Sequence, residues 1–126
     1  MPIVGLGTDI VEIARIEKQL GKSSRLAERI LRPVEFDVFK AHNFPAQYVA
    51  KRFAAKEAAV KALGTGIAYG VGFQDVEVIS LPSGQPGLSF SGKFAEICES
   101  RQIKNSFISI SDEQHYAVAT VILESV

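Results

Sequence analysis

Two acidic residues far apart in the chain, Asp9 and Glu57, and a lysine one helical turn after the second, Lys61, are the side chains best spaced for chemistry. Glu57 and Lys61 lie in Phe53-Ala54-Ala55-Lys56-Glu57-Ala58-Ala59-Val60-Lys61-Ala62-Leu63, which runs into Gly64-Thr65-Gly66 and then Gly70 and Gly72. Two carboxylates, a lysine and a glycine-rich turn suit a small hard cation held beside a phosphorylated ligand. Magnesium takes one or two protein carboxylates and fills its other positions with water and substrate phosphate oxygens. Glycines after a helix leave backbone N–H groups able to approach a phosphate closely. Two plainer readings stand beside this one. Glu57 and Lys61, four residues apart, can pair along one helix for about 0.3 kcal/mol, and Asp9 can cap a helix beginning near Glu12.

The other common chemistries lack their residues. Ser109 and Ser111 alternate in a strand without a partnered histidine, and the G-x-S-x-G elbow is absent. No Cys/His cluster has zinc spacing, and the single cysteine, Cys98, sits with Phe94 and Ile97 in an apolar set that makes it a buried spacer. His115, at a turn, reads as a surface residue. Neither G-x-x-x-x-G-K-[ST] nor a complete dinucleotide fingerprint follows Gly5-x-Gly7. The residues alone therefore point to metal-assisted transfer between two bound substrates.

The carboxylates must be positioned by a helix and a strand. Ala, Lys, Glu and Leu favour a helix from about Ala46 to Leu63, with Asn43 as cap, Pro45 at the first turn and Gly64 as the left-handed stop. Winding it at about 100° per residue places Val49, Phe53 and Val60 in one sector, Ala50, Ala54 and Glu57 beside them, and Lys61 just beyond. Glu57 thus faces the packed side, where an ionised carboxylate is costly unless a partner or metal compensates it. Ile3 to Ile10 reads as a strand with Val4, Leu6 and Ile10 on one face and Gly5, Gly7 and Asp9 on the other. The two glycines remove bulk from that second face. The alanine-lined side of the main helix can dock there and bring Asp9 opposite Glu57.

Around this pair the spacing predicts a helix over Val11 to Leu20, a short one carrying Leu26, Ile30 and Leu31, and a structural one opened by Pro33. Beyond the glycine-rich loop, Val76 to Ile79 and Leu88 to Phe90 flank a turn at Pro82-Ser83-Gly84-Gln85. A helix with Phe94, Ile97 and Cys98 follows. Ser106 to Ser111 and Tyr116 to Leu123 close the chain as a hairpin around Asp112-Glu113-Gln114. Strands at both ends enclosing helices and a hairpin indicate an α+β fold with an antiparallel sheet, a long central helix and several short ones.

The whole of residues 1–126 fits one domain with one core. Fourteen basic residues balance fourteen acidic ones, which argues against general nucleic-acid binding. Arg15, Lys18, Lys22, Arg25, Arg29 and Arg32 are the exception, a basic run interrupted only by Glu17 and Glu28. It is either a solvated face or a docking surface for an acidic partner. Nothing reads as a signal peptide and no apolar run reaches membrane-spanning length, so a cytoplasmic protein is expected.

Gly5-Leu6-Gly7-Thr8-Asp9-Ile10-Val11-Glu12-Ile13-Ala14-Arg15-Ile16, with Arg52-Phe53-Ala54-Ala55-Lys56-Glu57-Ala58 through Lys61-Ala62-Leu63-Gly64-Thr65-Gly66, closely resembles the holo-(acyl-carrier-protein) synthases. These are the short, single-domain type of 4'-phosphopantetheinyl transferase. The likeness extends over nearly the whole chain, including Phe73-Gln74-Asp75-Val76-Glu77-Val78 and the final hairpin. It implies transfer of the phosphopantetheine arm of coenzyme A to a serine of apo acyl carrier protein in fatty acid biosynthesis, leaving adenosine 3',5'-bisphosphate. It implies Asp9 and Glu57 as Mg2+ ligands, Lys61 at the pyrophosphate, and Arg52, Phe53 and Gly64 to Gly66 at coenzyme A. Arg15, Arg25 and Arg29 match the surface that receives the carrier's acidic helix. Members of this length look like trimers with each active site at a subunit boundary, as a chain too short to build a whole cleft would need.

The nucleophile would arrive on the partner, which accounts for its absence here. Many members carry histidine where this chain has Asp112, so a nucleotide contact by that histidine does not carry over. Glu57, a metal-bound water, or Glu35 reached through water can each accept the serine proton. The rival reading of the same residues is a non-catalytic module binding coenzyme A or a similar nucleotide.

Overall fold

A computed structural model describes residues 2–125. The described residues form five strands and five α-helices around one helix. That helix, α4 (Pro45–Leu63), carries small buried side chains along most of its length, Ala50, Ala54, Ala55, Ala58 and Ala59 among them. Pro45 occupies the first turn as expected, but the cap is Phe44 without a side-chain bond, not Asn43. At the other end Gly64, with φ of 87°, takes the left-handed conformation that stops the helix. The Arg101 guanidinium donates to the Leu63 carbonyl at 2.7 Å and satisfies one of the oxygens left open there.

The sheet under α4 is antiparallel with strand order β1 (Ile3–Glu12), β5 (Tyr116–Ser125), β4 (Ile103–Asp112). In its register Gly7 lies opposite Val121 and Asp9 opposite Ala119, so Gly5, Gly7 and Asp9 share a face with Ala117, Ala119, Val121 and Leu123. All four of those β5 side chains are fully buried against α4. The glycines are a requirement of the docking. A Cβ at Gly5 would sit 1.9 Å from the Ala62 carbonyl oxygen, and one at Gly7 would sit 2.0 Å from that of Ala58. Strand backbone and helix backbone therefore touch, and this close approach aims the Asp9 side chain towards α4.

The remaining elements are α1 (Ile13–Lys22), α2 (Arg25–Ile30), α3 (Pro33–Ala41), a second two-stranded sheet of β2 (Val76–Ser80) with β3 (Pro86–Phe90), and α5 (Gly92–Ser100). The strands thus divide into two sheets, not one, and β1, β4 and β5 run two or more residues past the expected spans. Of the remaining elements, the first three helices and β2 pack on α4, while β3 and α5 pack on its sheet neighbours. One buried ion pair locks this packing. Lys56 Nζ, wholly enclosed, donates at 2.6 Å to both Glu35 Oε1 and the Ile30 carbonyl. Glu35 also accepts from the Arg32 and Val78 backbone N–H groups, so α2, α3 and β2 are all tied to α4 at the residue before Glu57. No helix among the described residues is long and apolar enough to cross a membrane.

Candidate functional site

Docking β1 on α4 brings Asp9 and Glu57 to one cleft of about 410 Å³, with Glu12, Arg15, Phe53 and Tyr116 also on its walls. The Asp9 charge acts on Glu57. Burial raises the Glu57 carboxyl above its ordinary value, and the Asp9 charge pushes it further the same way, against the weaker pull of Lys61 and Arg29. Lys61 does not pair with Glu57 along the helix. Its Nζ crosses to β1, 2.9 Å from Asp9 Oδ1 and 3.1 Å from the Thr8 carbonyl. The intrahelical pair is therefore not formed. Asp9 also caps no helix, because α1 starts at Ile13 behind a Glu12 cap.

Phe53 connects this cleft to the basic surface. Its ring meets Phe73 edge-on with centroids 5.6 Å apart, and the Arg29 guanidinium lies 5.5 Å over the Phe73 ring. Arg15 and Arg25 are exposed, Arg15 lightly held by Glu12 at 3.4 Å. Arg32 leaves the expected basic face. It turns inward to the Gln74 carbonyl and the Ser91 hydroxyl, both at 2.8 Å, and to Glu77 at 3.2 Å.

Three further expectations change. Gly64 N–H and Gly66 N–H point back to the α4 carbonyls of Val60 and Lys61, and the Thr65 hydroxyl donates to the Gly66 carbonyl. Those two glycine amides are not free to cradle a phosphate. A helix C-terminus presents carbonyls and partial negative charge, so cationic charge must come from Lys61. Glu35 cannot serve as a proton acceptor through water, since both of its oxygens are engaged in the core by Lys56, Arg32 N and Val78 N. Its pairing with Lys56 was not legible at sequence level, the two being on different helices.

The third change concerns Arg52, which lies on a different flank of α4 from Glu57. Its guanidinium stacks 4.2 Å over the Tyr48 ring, its Nε is buried with no hydrogen-bond acceptor, and it lines clefts shared with Lys51, Asp112 and Pro86. Asp112 stands 3.7 Å from Lys51 Nζ. Cys98 is buried, and burial pushes its thiol up, which removes it as a nucleophile. His115 is exposed at the hairpin turn.

A family model described as the 4'-phosphopantetheinyl transferase superfamily matches residues 5–121. The holo-[acyl-carrier-protein] synthase of Pseudoalteromonas atlantica is 68% identical over 125 residues, covering 99% of both chains. The crystal structure of the holo-[acyl-carrier-protein] synthase from Neisseria meningitidis superposes with a TM-score of 0.91 at 38% identity, over 98% of this chain and 100% of that one. A second, from Bacillus anthracis in complex with CoA (3',5'-ADP), superposes with a TM-score of 0.81 at 43% identity over 98% of each chain. Coverage end to end at these identities, on top of a shared fold, decides the matter: this chain belongs to the holo-[acyl-carrier-protein] synthase family of the 4'-phosphopantetheinyl transferase superfamily.

Proposed function

We propose that the Asp9–Glu57 cleft transfers the 4'-phosphopantetheine arm of coenzyme A to a serine of apo acyl carrier protein, in fatty acid biosynthesis. The observation that carries the reading is the convergence of two carboxylates and one ammonium, from β1 and α4, beside a basic helical face. In the reaction the serine oxygen forms a bond to the phosphorus on the pantetheine side of the pyrophosphate. The bond from that phosphorus to the bridging oxygen breaks, and adenosine 3',5'-bisphosphate leaves with the electron pair.

The donor set fits a hard divalent cation. Asp9 and Glu57 face one cleft, the Glu57 carboxyl raised by burial and by the Asp9 charge, while the Lys61 ammonium pairs with Asp9 and not with Glu57. Asp9 and Glu57 would hold Mg2+, which when bound supplies positive charge to the pyrophosphate in the manner of phosphoryl-transfer sites generally. Lys61 reaches the same place and adds its own charge to the leaving bisphosphate. Phe53 gives the apolar wall. With Glu35 engaged in the core, the serine proton goes to Glu57 or to water in the cleft.

Arg15, Arg25 and Arg29 receive the carrier's acidic surface, and the Phe53–Phe73–Arg29 chain of contacts sets that face beside the reacting groups. Coenzyme A also meets the loop Gly64 to Gly66, where no atom stands within 4 Å of a would-be Cβ on either glycine. Arg52 opens onto another cleft, so its contact with coenzyme A is made from a second copy of the chain. A trimer with sites at subunit boundaries supplies that copy. It would also cover the outer sheet face, where Leu6, Ile10 and Phe107 stand 65%, 62% and 55% exposed with the Thr8–Thr120–Ser109 row between them. Intact-mass spectrometry of apo carrier incubated with the protein, coenzyme A and Mg2+ tests the reading. A gain of one phosphopantetheine arm supports it; coenzyme A bound with the carrier unchanged would instead indicate a binding module.

A further inference from the structure

Lys61 makes a contact that its role at a pyrophosphate does not explain. Its side chain belongs to α4, four residues beyond Glu57, yet its ammonium lies on β1, against Asp9 Oδ1 at 2.9 Å and the Thr8 carbonyl at 3.1 Å. The Lys61 side chain is about half exposed, 49%, whereas that of Asp9 is 16% exposed. The carboxylate is thus fixed in the cleft wall, and the cation it holds sits on a flexible stem reaching in from solvent. One of the two Asp9 oxygens that a divalent cation would use is already neutralised by a charge of the chain's own.

We propose that Lys61 is a placeholder for that cation: its ammonium and the divalent ion compete for Asp9, and an incoming pyrophosphate releases the competition by drawing Lys61 away. This rests on the reading of Asp9 and Glu57 as the cation site. A divalent ion settling on Asp9 beside the ammonium meets like charge within a few ångströms, which opposes its entry in the absence of substrate. Lysine is suited to yield, being a compact charge on a four-carbon stem with little fixed geometry. The Thr8 carbonyl, its other partner at 3.1 Å, carries no charge and holds the ammonium less tightly than a second anion would. A pyrophosphate carries more negative charge than Asp9 and offers Lys61 the better counterion. Cation and coenzyme then favour each other's binding through one side chain, and the coupling acts equally in both directions. The Asp9 charge is meanwhile balanced by the ammonium 2.9 Å away.

The test is Mn2+ alone, titrated without coenzyme A and followed by the electron paramagnetic resonance of free Mn2+. Wild type is compared with Lys61→Met, Lys61→Gln, Asp9→Asn and Lys61→Met/Asp9→Asn, each checked for fold by circular dichroism. Lys61→Met and Lys61→Gln are expected to bind Mn2+ about tenfold more tightly than wild type, the scale set by removing one like charge near the ion. That gain should vanish in the double variant. Affinity unchanged or weakened by both Lys61 substitutions, with binding still lost in Asp9→Asn, overturns the placeholder while leaving the cation site in place. Mn2+ binding indifferent to Asp9→Asn overturns both.

Discussion

Replacing Gly7 by alanine perturbs the contact on which the site's geometry rests. The added methyl would lie 2.0 Å from the Ala58 carbonyl oxygen and 2.6 Å from the Ala62 nitrogen, both helix backbone. Carbon and oxygen rest no closer than about 3.3 Å, so β1 and α4 must separate by more than about 1 Å. Neither side can give by turning a side chain. The cost lies at the upper end of overpacking, about 3 kcal/mol, or roughly 12 °C in melting temperature for a chain of this length. Asp9 is two residues along the same strand and would move with it, and a displacement of about 1 Å in a reacting group lowers turnover about a hundredfold. Urea denaturation by circular dichroism at one fixed protein concentration measures the first effect, and the rate of carrier modification in the surviving folded protein measures the second. Gly21→Ala is the matched control, since nothing lies within 4 Å of its would-be Cβ and it sits in the last turn of α1. It should gain about 0.5–1 kcal/mol. Stability of Gly7→Ala within about 0.5 kcal/mol of wild type would refute the backbone-contact argument.

Three further outcomes follow from the same geometry. Reversing Arg15 and Arg25 to glutamate should raise the KM for the carrier about tenfold at low ionic strength and leave that for coenzyme A within about twofold, the gap closing in salt; equal effects on both would count against the docking face. Lys56→Met leaves the Glu35 carboxylate buried without its counterion and should cost about 3–5 kcal/mol in urea denaturation, so a loss below about 1 kcal/mol would show that the pair does not lock the packing on α4. The Glu57 carboxyl is raised in the folded protein, so it favours the folded state below its unfolded pKa, and that contribution is lost as pH rises through the folded value. In metal-free protein Glu57→Gln should therefore be more stable than wild type near neutral pH, yet inactive once Mg2+ is added, with the stability difference shrinking towards about pH 4. An unchanged difference across that range would remove the electrostatic explanation.

Local rules carried the parts of the fold that one segment decides alone. Gly64 was legible as a stop because its left-handed φ suits glycine, and Gly5 and Gly7 as a docking face because alternation places them together with Asp9 on the strand. The partnership of Asp9 with Glu57 followed from those glycines meeting the alanines of α4. What failed to show was set by tertiary contact. Lys56 and Glu35 each look like ordinary solvated helix charges, and only the packing of α3 and β2 on α4 buries them together. Lys61 has a nearer partner along the helix, yet the strand offers Asp9 from the side. Gly64 and Gly66 looked like phosphate donors, but the helix end claims their amides. Arg32 lies in a basic run in sequence and turns inward because Glu77, Ser91 and the Gln74 carbonyl await it.

The proposed function requires Asp9 and Glu57 to grip one divalent ion at the coenzyme A pyrophosphate. Anomalous diffraction from crystals grown with Mn2+ and coenzyme A tests this. A single strong anomalous peak is expected within bonding distance of a carboxylate oxygen from each residue and of pyrophosphate oxygens. A peak coordinated by neither carboxylate, with coenzyme A bound in place, would contradict it.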